Sequence, residues 1–238
     1  DLDGMRHAAR ARGWDAARLL MRRLDVRDAD SWEALYSDLI GTWARLDCLF
    51  YVAGVIRPGR LAEATVKDLD LHVDVNFKGV VHGCRVAARH MIAQGRGHIV
   101  NLSSLAALAA VPGIGLYSAS KHAVRAYSLV LAEELQDSGV AVTVVCPDAI
   151  ETPMLKLQED FEEAALTFSG RAPLTVEDIS AAVFDRILKD RPVEIALPAG
   201  RAFQARLAGA FPVLSRLMTR RLRARGRKTQ QARRDGRG

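Results

Sequence analysis

The sequence predicts an α/β fold with a doubly wound parallel sheet, in which helices cover both faces and form three α/β/α layers in a single domain. Segments with helical and strand patterns alternate along the chain, which is typical of such sheets. Residues 140–146 are almost continuously β-branched, as expected of a strand buried on both faces. The 238 residues, 49% hydrophobic and 26% charged, suffice for one such domain, and no Gly/Ser-rich linker divides them.

Apolar periodicity, capping residues and turn residues predict the remaining elements. Helices are expected over 3–12, 28–45 (with Asp28 or Ser31 as N-cap), 65–91, 115–136 and 176–189. Strands are expected near 19–24 and over 46–52, 98–102 and 193–197, whereas 148–172 is polar and mixed. Ligands of open parallel sheets bind beyond the carboxyl ends of the strands. We therefore expect chemistry in the loops after Val52, Leu102 and Cys146.

The C-terminal end of the chain is strongly basic. Residues 215–238 contain ten Lys or Arg and one acidic residue, whereas the whole chain has a formal net charge of +6. We expect a domain over 1–200 and an amphipathic, Arg-rich tail over 201–238, whose basic part, 215–238, is expected to be solvated and partly disordered. The alternatives for this basic part are contact with an anionic membrane surface and contact with nucleic acid, which is least expected. The tail also has an apolar stripe, which is expected to pack in the core or in a lid, or else to meet a membrane surface or a partner, and which consists of Phe203, Leu207, Phe211, Leu214, Leu217 and Met218, interrupted by Pro212.

The cysteines and histidines do not form metal-binding or disulfide patterns. Cys48, Cys84 and Cys146 lie far apart, which argues against a disulfide scaffold or a zinc ribbon and favours the reducing cytoplasm. No metal-ligand spacing is recognised, so the helix histidines are interpreted as ordinary residues, namely His72, His82, His90 and His122. The uncharged stretch 99–120 is broken by Pro and Gly and is interpreted as a strand, a loop and the start of a helix. The first residues have no signal-peptide character.

A tyrosine and a lysine one helical turn apart are the strongest chemical signal. Tyr117 and Lys121 stand at i and i+4, so their side chains lie on the same helix face. A nearby ammonium group is expected to lower the pKa of the phenol, which makes Tyr117 a candidate general acid/base. Ser104 directly follows the strand 98–102, where its hydroxyl group could hydrogen-bond a substrate carbonyl.

These residues resemble the motifs of the short-chain dehydrogenase/reductase family. Gly97-His-Ile-Val-Asn-Leu-Ser-Ser104 and then Tyr117-Ser-Ala-Ser-Lys-His-Ala123 have the spacing of the family's catalytic pair. The resemblance covers residues 1 to about 197 and implies a Rossmann-like fold. Other family landmarks follow in order, namely Leu24-Asp25-Val26, Asn76-Phe-Lys-Gly79 and Val145-Cys-Pro-Asp-Ala-Ile-Glu-Thr152.

The resemblance implies a role for each matched residue. Tyr117 would be the general acid/base, Lys121 would lower its pKa and bind the nicotinamide ribose, and Ser104 would polarise the substrate carbonyl. Asn76 would hold a water molecule in a proton relay. From the residues alone, Asn76 could instead make local helix bonds, and Ser104 could be an ordinary turn residue. The implied cofactor contacts are Asp1 (or Asp3 in its place), Asp25, Val26, Ala53, Gly54, Tyr117, Lys121, Ile150 and Thr152.

Three segments differ from the family pattern. The family opens with a T-G-x-x-x-G-x-G loop, whereas this chain is expected to begin near the end of the family's second strand, without the first β-α unit. The family's Asn-Asn-Ala-Gly is Tyr51-Val52-Ala53-Gly54 here, and its Pro-Gly is Pro147-Asp148. These differences leave a second hypothesis open, that of a catalytically weakened binding or regulatory protein with the same fold.

The leading prediction is an NAD(P)-dependent oxidoreductase that interconverts a secondary alcohol and a ketone. The cofactor is expected to be NAD rather than NADP, because Asp1 would hydrogen-bond the adenosine ribose. The substrate is expected to be an apolar small-molecule alcohol or carbonyl compound in a pocket formed by 148–172 and the C-terminal residues. Its apolar lining would include Met154, Phe161, Leu166 and Phe168. The resemblance also implies a homodimer or homotetramer that pairs the two long helices.

Overall fold

A parallel sheet forms the centre of the chain in the structure, a computed structural model that describes residues 2–236 without the side chains of Ala16, Leu214 and Leu217. Within this range the sheet has four strands in the order β1-β2-β3-β4, and every neighbouring pair is parallel. The strands are β1 (Cys48–Tyr51), β2 (Gly97–Leu102), β3 (Val140–Pro147) and β4 (Glu194–Leu197).

Helices connect and flank these strands. They are α1 (Leu2–Ala11), α2 (Ala29–Trp43), α3 (Val66–His72), α4 (Gly79–Gln94), α5 (Gly115–Leu135), α6 (Pro153–Gln158), α7 (Val176–Ala182), α8 (Leu188–Asp190), α9 (Ala199–Ala210) and α10 (Pro212–Asp235). Asp28 caps α2, as predicted, and accepts a hydrogen bond from the Asp30 backbone N–H group.

Both faces of the sheet are covered, because the buried side chains of the strands alternate between two apolar clusters. On one face, Ile99 and Val142 pack with Val80 and Val124 of α4 and α5. On the other face, clusters form around Val100, Val145 and Ile195, which pack with Val183 and Ile187 of the 176–190 helical segment. The predicted doubly wound, three-layer α/β/α fold is confirmed.

The predicted helix over 65–91 is divided by π-helical turns at Val73–Lys78. It begins at a capping box, in which the Thr65 hydroxyl accepts a hydrogen bond from the Asp68 N–H group and the Asp68 carboxylate accepts one from the Thr65 N–H group. The second half, α4, ends at Gly95, whose φ of 68° suits glycine.

The predicted strand at 19–24 is wrong. This segment has no regular structure. Among residues 2–236 the neighbour of β1 on one side is β2, and no strand pairs with its other edge. A strand segment without a partner leaves its backbone groups to water, so the β pattern alone does not form a strand here.

The solvated, partly disordered end predicted for 215–238 is also wrong for its described residues, which end at 236. Two helices, α9 and α10, follow β4. Helix α10 packs along the 3₁₀ segment Glu162–Ser169, and Gln230 is 3% exposed. The described part of this end therefore packs against the domain. No helix in the described range combines the length and the apolar character that crossing a bilayer requires.

Candidate active site

A cavity of about 750 Å³ lies at the carboxyl ends of β1, β2 and β3. Ser104 follows β2 directly, and Tyr117 and Lys121 project from the first turns of α5. All three line the cavity. The parallel register of the strands brings the loops that follow them to one edge of the sheet, which agrees with the predicted location.

The tyrosine and lysine are neighbours, as their i, i+4 spacing predicts. The Lys121 Nζ atom lies 5.7 Å from the centre of the Tyr117 ring. It donates a hydrogen bond of 2.8 Å to the Leu102 carbonyl oxygen at the end of β2. The Lys121 side chain is buried, so this contact also satisfies part of its hydrogen-bonding capacity inside the protein.

The expected lowering of the Tyr117 pKa is not found in the structure. Burial raises the pKa of Tyr117 to about 12, and hydrogen bonding with the Ser104 hydroxyl lowers it only in part. Burial also lowers the pKa of Lys121 to about 8. Desolvation disfavours the charged form of each group and is the largest cause of both shifts. At neutral pH Tyr117 therefore carries its proton.

Ser104 is both a turn residue and a residue of the cavity wall. Its Oγ atom accepts a hydrogen bond of 3.1 Å from the Ala106 N–H group and so caps the 3₁₀ turn Leu105–Ala107. A hydroxyl group that accepts in this way still has its own proton to donate. The local bond thus fixes the position of Ser104 beside Tyr117, and its proton is available either to the Tyr117 oxygen or to a ligand.

Asn76 lies behind the cavity wall, within the π-helical turns. Its Oδ1 atom accepts a hydrogen bond of 2.8 Å from the Val55 N–H group, and its Nδ2 atom donates bonds of 2.9 Å to the Val55 carbonyl and 3.0 Å to Ser120 Oγ. The side chain is fully buried. These bonds are not the local helix bonds considered from the sequence. They tie the loop after β1 to α5, and the relay role stays a prediction.

Gly54 leaves room for a ligand between these groups. A Cβ atom at this position would lie 3.4 Å from Asn76 Oδ1 and 3.5 Å from Lys121 Nζ. A glycine lets a ligand approach the backbone closely, so the site fits the nicotinamide end of a dinucleotide. Ile150 and Thr152 also line the cavity, and the Thr152 hydroxyl donates to the Ile150 carbonyl. Ala53 is exposed and does not line it.

Asp25 and Val26 do not reach this cavity. The Asp25 carboxylate pairs with Arg27 at 2.6 Å, and hydrogen bonds from Arg27 lower the pKa of Asp25 to about 2. The Val26 carbonyl accepts a hydrogen bond of 3.0 Å from Trp32 Nε1. Asp1 lies outside the described residues, and Asp3 pairs with Arg6 on α1. The glycine-rich phosphate loop of the family is likewise not part of residues 2–236.

The histidines make structural contacts. His72 accepts a hydrogen bond from the Arg57 N–H group at Nε2, and its Nδ1 atom contacts the Asp68 carbonyl. His90 stacks on Tyr36. Within residues 2–236, His, Cys, Asp and Glu side chains form no cluster of three or more that could hold a metal ion.

The C-terminal helices contribute more of the cavity wall than the sequence indicated. Of the four apolar residues predicted to line it, Met154 and Leu166 do, whereas Phe161 and Phe168 do not. Sequence reasoning expected C-terminal residues in the pocket wall without naming them individually, and it missed Arg201. The lining residues from these helices are Arg201, Gln204, Ala205, Leu207, Ala208, Phe211, Ser215, Met218, Thr219 and Leu222.

Comparison with known proteins places this chain in a family. Residues 3–163 match the family model described as short chain dehydrogenase. The chain is 33% identical over 176 residues to the 2-(R)-hydroxypropyl-CoM dehydrogenase of Xanthobacter autotrophicus, covering 73% of this chain and 70% of that protein. It is 32% identical to the NADP-dependent 3-hydroxy acid dehydrogenase YdfG of Salmonella typhi, covering 70% and 68%.

Solved structures have the same fold. The structure of ElxO with NADP bound has a TM-score of 0.76 at 22% identity and covers 86% of each chain. A short chain dehydrogenase/reductase of Burkholderia phymatum in complex with NAD has a TM-score of 0.73 at 26% identity, covering 88% of this chain and 80% of that one.

Proposed function

Since the chain belongs to the short-chain dehydrogenase/reductase family and is therefore an NAD- or NADP-dependent oxidoreductase, we propose that it interconverts a secondary alcohol and a ketone. The observation that carries the proposal is the meeting of Ser104, Tyr117 and Lys121 in one cavity at the carboxyl end of the sheet. The bound nicotinamide supplies or accepts the hydride.

Tyr117 is the general acid/base of the proposed reaction. Because burial holds the pKa of Tyr117 at about 12, its hydroxyl group is protonated at neutral pH and can donate to the oxygen of a ketone as the hydride reaches the carbon. In the reverse direction the same oxygen takes the proton from the alcohol. The Ser104 hydroxyl donates to the substrate oxygen and so orients and polarises the carbonyl.

Lys121 and Asn76 are proposed to support Tyr117. The Lys121 ammonium group lies against the Tyr117 ring and favours its deprotonated form whenever the proton has been given away. Asn76 braces Val55 and α5 from behind and so fixes the distance between Gly54 and Lys121. Because both Nδ2 hydrogens of Asn76 are already bonded, a relay water would have to use its Oδ1 atom or nearby backbone groups.

The proposed cofactor contacts of the described chain are Gly54, Tyr117, Lys121, Ile150 and Thr152, which line one cavity. Ala53 precedes this group on the same loop. Asp25 and Val26 lie away from the nicotinamide end, so their contribution remains a proposal for the adenine end. The preference for NAD over NADP depends on Asp1, outside the described residues.

A single substitution tests the proposal. Oxidation of secondary alcohols and reduction of ketones by the full-length protein are followed through the absorbance of the reduced nicotinamide. Tyr117→Phe removes the proton donor and is expected to lower kcat by at least about a hundredfold. Tyr127→Phe, on the same helix but outside the cavity wall, is the matched control and should retain activity.

The outcome separates the two hypotheses. If the wild type turns over none of these substrates yet binds NAD or NADP in calorimetry, the chain is the weakened binding protein considered from the sequence. If the two tyrosine variants are equally active, Tyr117 is not the general acid/base.

The proposals for partners and location rest on other features. A homodimer or homotetramer would pair the outer faces of α4 and α5, where Ile92 and Val130 are exposed. A cytoplasmic location would suit the three free thiols, which are far apart in sequence. Contact of α10 with an anionic membrane remains a proposal for its outward-facing basic residues, and nucleic acid is not proposed as a partner.

A further inference from the structure

We propose that the cavity selects a bulky, uncharged and mainly apolar ketone or alcohol, and that α9 and α10 form the wall that makes this selection. The inference rests on the proposed function, because it names the substrate class of the same site. It follows from the lining of the cavity, from its charges and from the way in which α10 is held.

The lining is mainly apolar on the side away from the reacting groups. Helix α6 and the segment that follows it contribute Met154, Leu155 and Leu166. The C-terminal helices face them with Leu207, Phe211, Met218 and Leu222. The cavity of about 750 Å³ also contains the proposed nicotinamide contacts, so the substrate takes the part of it beside α6, α9 and α10. Such a wall stabilises apolar groups and offers few hydrogen bonds to polar ones.

The charges on the described lining are few: two of the three form an ion pair, and the third, Lys121, lies at the reacting end beside Tyr117. They belong to Lys121, Asp148 and Arg201. Arg201 Nε donates a hydrogen bond of 2.8 Å to Asp148 Oδ2, and both side chains are largely buried, at 26% and 15% exposed. A second guanidinium nitrogen lies 3.4 Å from Ser169 Oγ. An anionic substrate would therefore meet a guanidinium group that Asp148 neutralises, and would add an unpaired charge to an apolar wall.

The ion pair of Asp148 and Arg201 depends on a position at which this sequence differs from the family pattern. Asp148 stands where the family has glycine, and Arg201 is in the first turns of α9. The carboxylate thus takes up the cation that would otherwise attract a carboxylate or phosphate group of a substrate. We infer that Asp148 is a specificity-determining residue.

The C-terminal wall is fixed at its far end by buried polar contacts. Gln230 Nε2 lies 2.9, 3.1 and 2.7 Å from the carbonyl oxygens of Gln158, Glu159 and Phe161, which share its two N–H donors. Arg233 pairs with Glu159 and Glu151, each at 2.6 Å. The Glu159 side chain is only 2% exposed, so this ion pair is largely shielded from salt.

Close backbone packing holds the middle of α10. A Cβ atom at Gly226 would collide with the Ala165 carbonyl oxygen, so the helix lies directly on the Glu162–Ser169 segment. The helix is therefore held against the domain in its middle and at its far end, with its apolar side chains lining the cavity. Preorganisation of this kind lowers the entropic cost of binding.

A substrate series tests the proposal on the full-length protein with NAD or NADP. One arm uses unbranched methyl ketones from butanone to decanone, and the other uses oxo acids of matched length with a terminal carboxylate. For the ketones, kcat/KM is expected to rise by about fourfold for each added methylene group that enters the cavity. Each oxo acid is expected to fall at least about a hundredfold below its matched ketone.

Two variants test which residues of the cavity wall determine this substrate selectivity. Asp148→Asn leaves Arg201 unpaired and is expected to raise the ratio of oxo acid to ketone kcat/KM by at least about tenfold. Ala208→Trp places a large side chain of α9 in the cavity, and it is expected to lower the ratio of kcat/KM for decanone to kcat/KM for butanone. Equal rates for all ketone lengths, a preference for the oxo acids in the wild type, or an unchanged acid ratio in Asp148→Asn would overturn the inference.

Failure of the proposed function gives a different result. In that case no ketone is turned over, and the same series is measured by calorimetric binding to the full-length protein. Tighter binding of decanone than of butanone, with no binding of the oxo acids, supports the selection of apolar ligands. The opposite order overturns it. Turnover of butanone that Tyr117→Phe abolishes, without any length dependence, overturns the inference alone.

Discussion

Acidification is expected to destabilise this protein through His98, a histidine of β2 that is only 1% exposed. The Thr143 hydroxyl donates to the Pro192 carbonyl, so its oxygen accepts the hydrogen bond of 2.8 Å from His98 Nε2. The Nδ1 atom of His98 is buried without a hydrogen-bond partner in the described chain. Protonation at Nδ1 would place an unpaired positive charge in the core. Burial, and to a lesser extent Arg191, lowers the pKa of His98 from 6.5 to about 4.

The sign and size of the effect of pH on stability follow from the difference between the pKa of His98 in the unfolded chain and in the folded chain. The unfolded chain binds a proton at His98 below about pH 6.5, whereas the folded chain resists it until about pH 4, so acid favours unfolding. The contribution to stability is present above pH 6.5 and is lost as the pH falls towards 4. Between pH 7 and pH 5, a shift of this size reduces the free energy of unfolding by about 2 kcal/mol.

Urea unfolding of the wild type and of His98→Gln at several pH values between 5 and 7.5 measures this effect. Glutamine keeps an N–H donor for Thr143 but has no titrating group. The wild type should therefore lose about 2 kcal/mol more than the variant between pH 7 and pH 5. His7→Gln, at an exposed histidine of α1, is the control and should follow the wild type. Parallel pH dependences for the wild type and His98→Gln would refute the reasoning.

Three further predictions concern packing, capping and thiol reactivity. Gly226→Ala should lower the free energy of unfolding by about 1–3 kcal/mol, because the added methyl group meets the Ala165 carbonyl oxygen. Gly41→Ala, in open space on α2, is the control and should raise the free energy of unfolding by up to about 1 kcal/mol in the same urea titration. Thr65→Ala removes the capping box of α3 and should cost about 1 kcal/mol; an unchanged unfolding midpoint would show that the cap is redundant. Burial raises the pKa of Cys84 to about 12, so its alkylation by iodoacetamide should track global unfolding, and rapid labelling of the native protein would contradict this.

The sequence was sufficient to predict those features that depend on residues close to each other in the chain. The β-branched run 140–146 became β3, with Pro147 included, and the i, i+4 pair Tyr117 and Lys121 meets on α5 as predicted. The parallel arrangement then brought Ser104 to the same cavity, because consecutive strands end at one edge of the sheet. These outcomes needed only side-chain periodicity and the geometry of a parallel sheet.

Features that depend on residues far apart in the sequence could not be predicted from local patterns. The apolar segment 19–24 remains irregular because no described strand pairs with it. The basic C-terminal residues suggested a solvated end, yet Gln230 and Arg233 contact residues about seventy positions earlier in the chain. The pKa of Tyr117 depends on burial by the whole cavity and not only on the neighbouring ammonium group. Such effects arise from the packed structure, and composition alone does not encode them.

The anchored α10 also provides a direct way to observe the cavity wall. Its many arginines are potential trypsin sites, but a helix must unfold locally before a protease can cleave it. The contacts of Gln230 and Arg233 oppose that opening. The rate at which trypsin trims this helix therefore reports how often the wall detaches, and a molecule that fills the cavity should slow the cleavage.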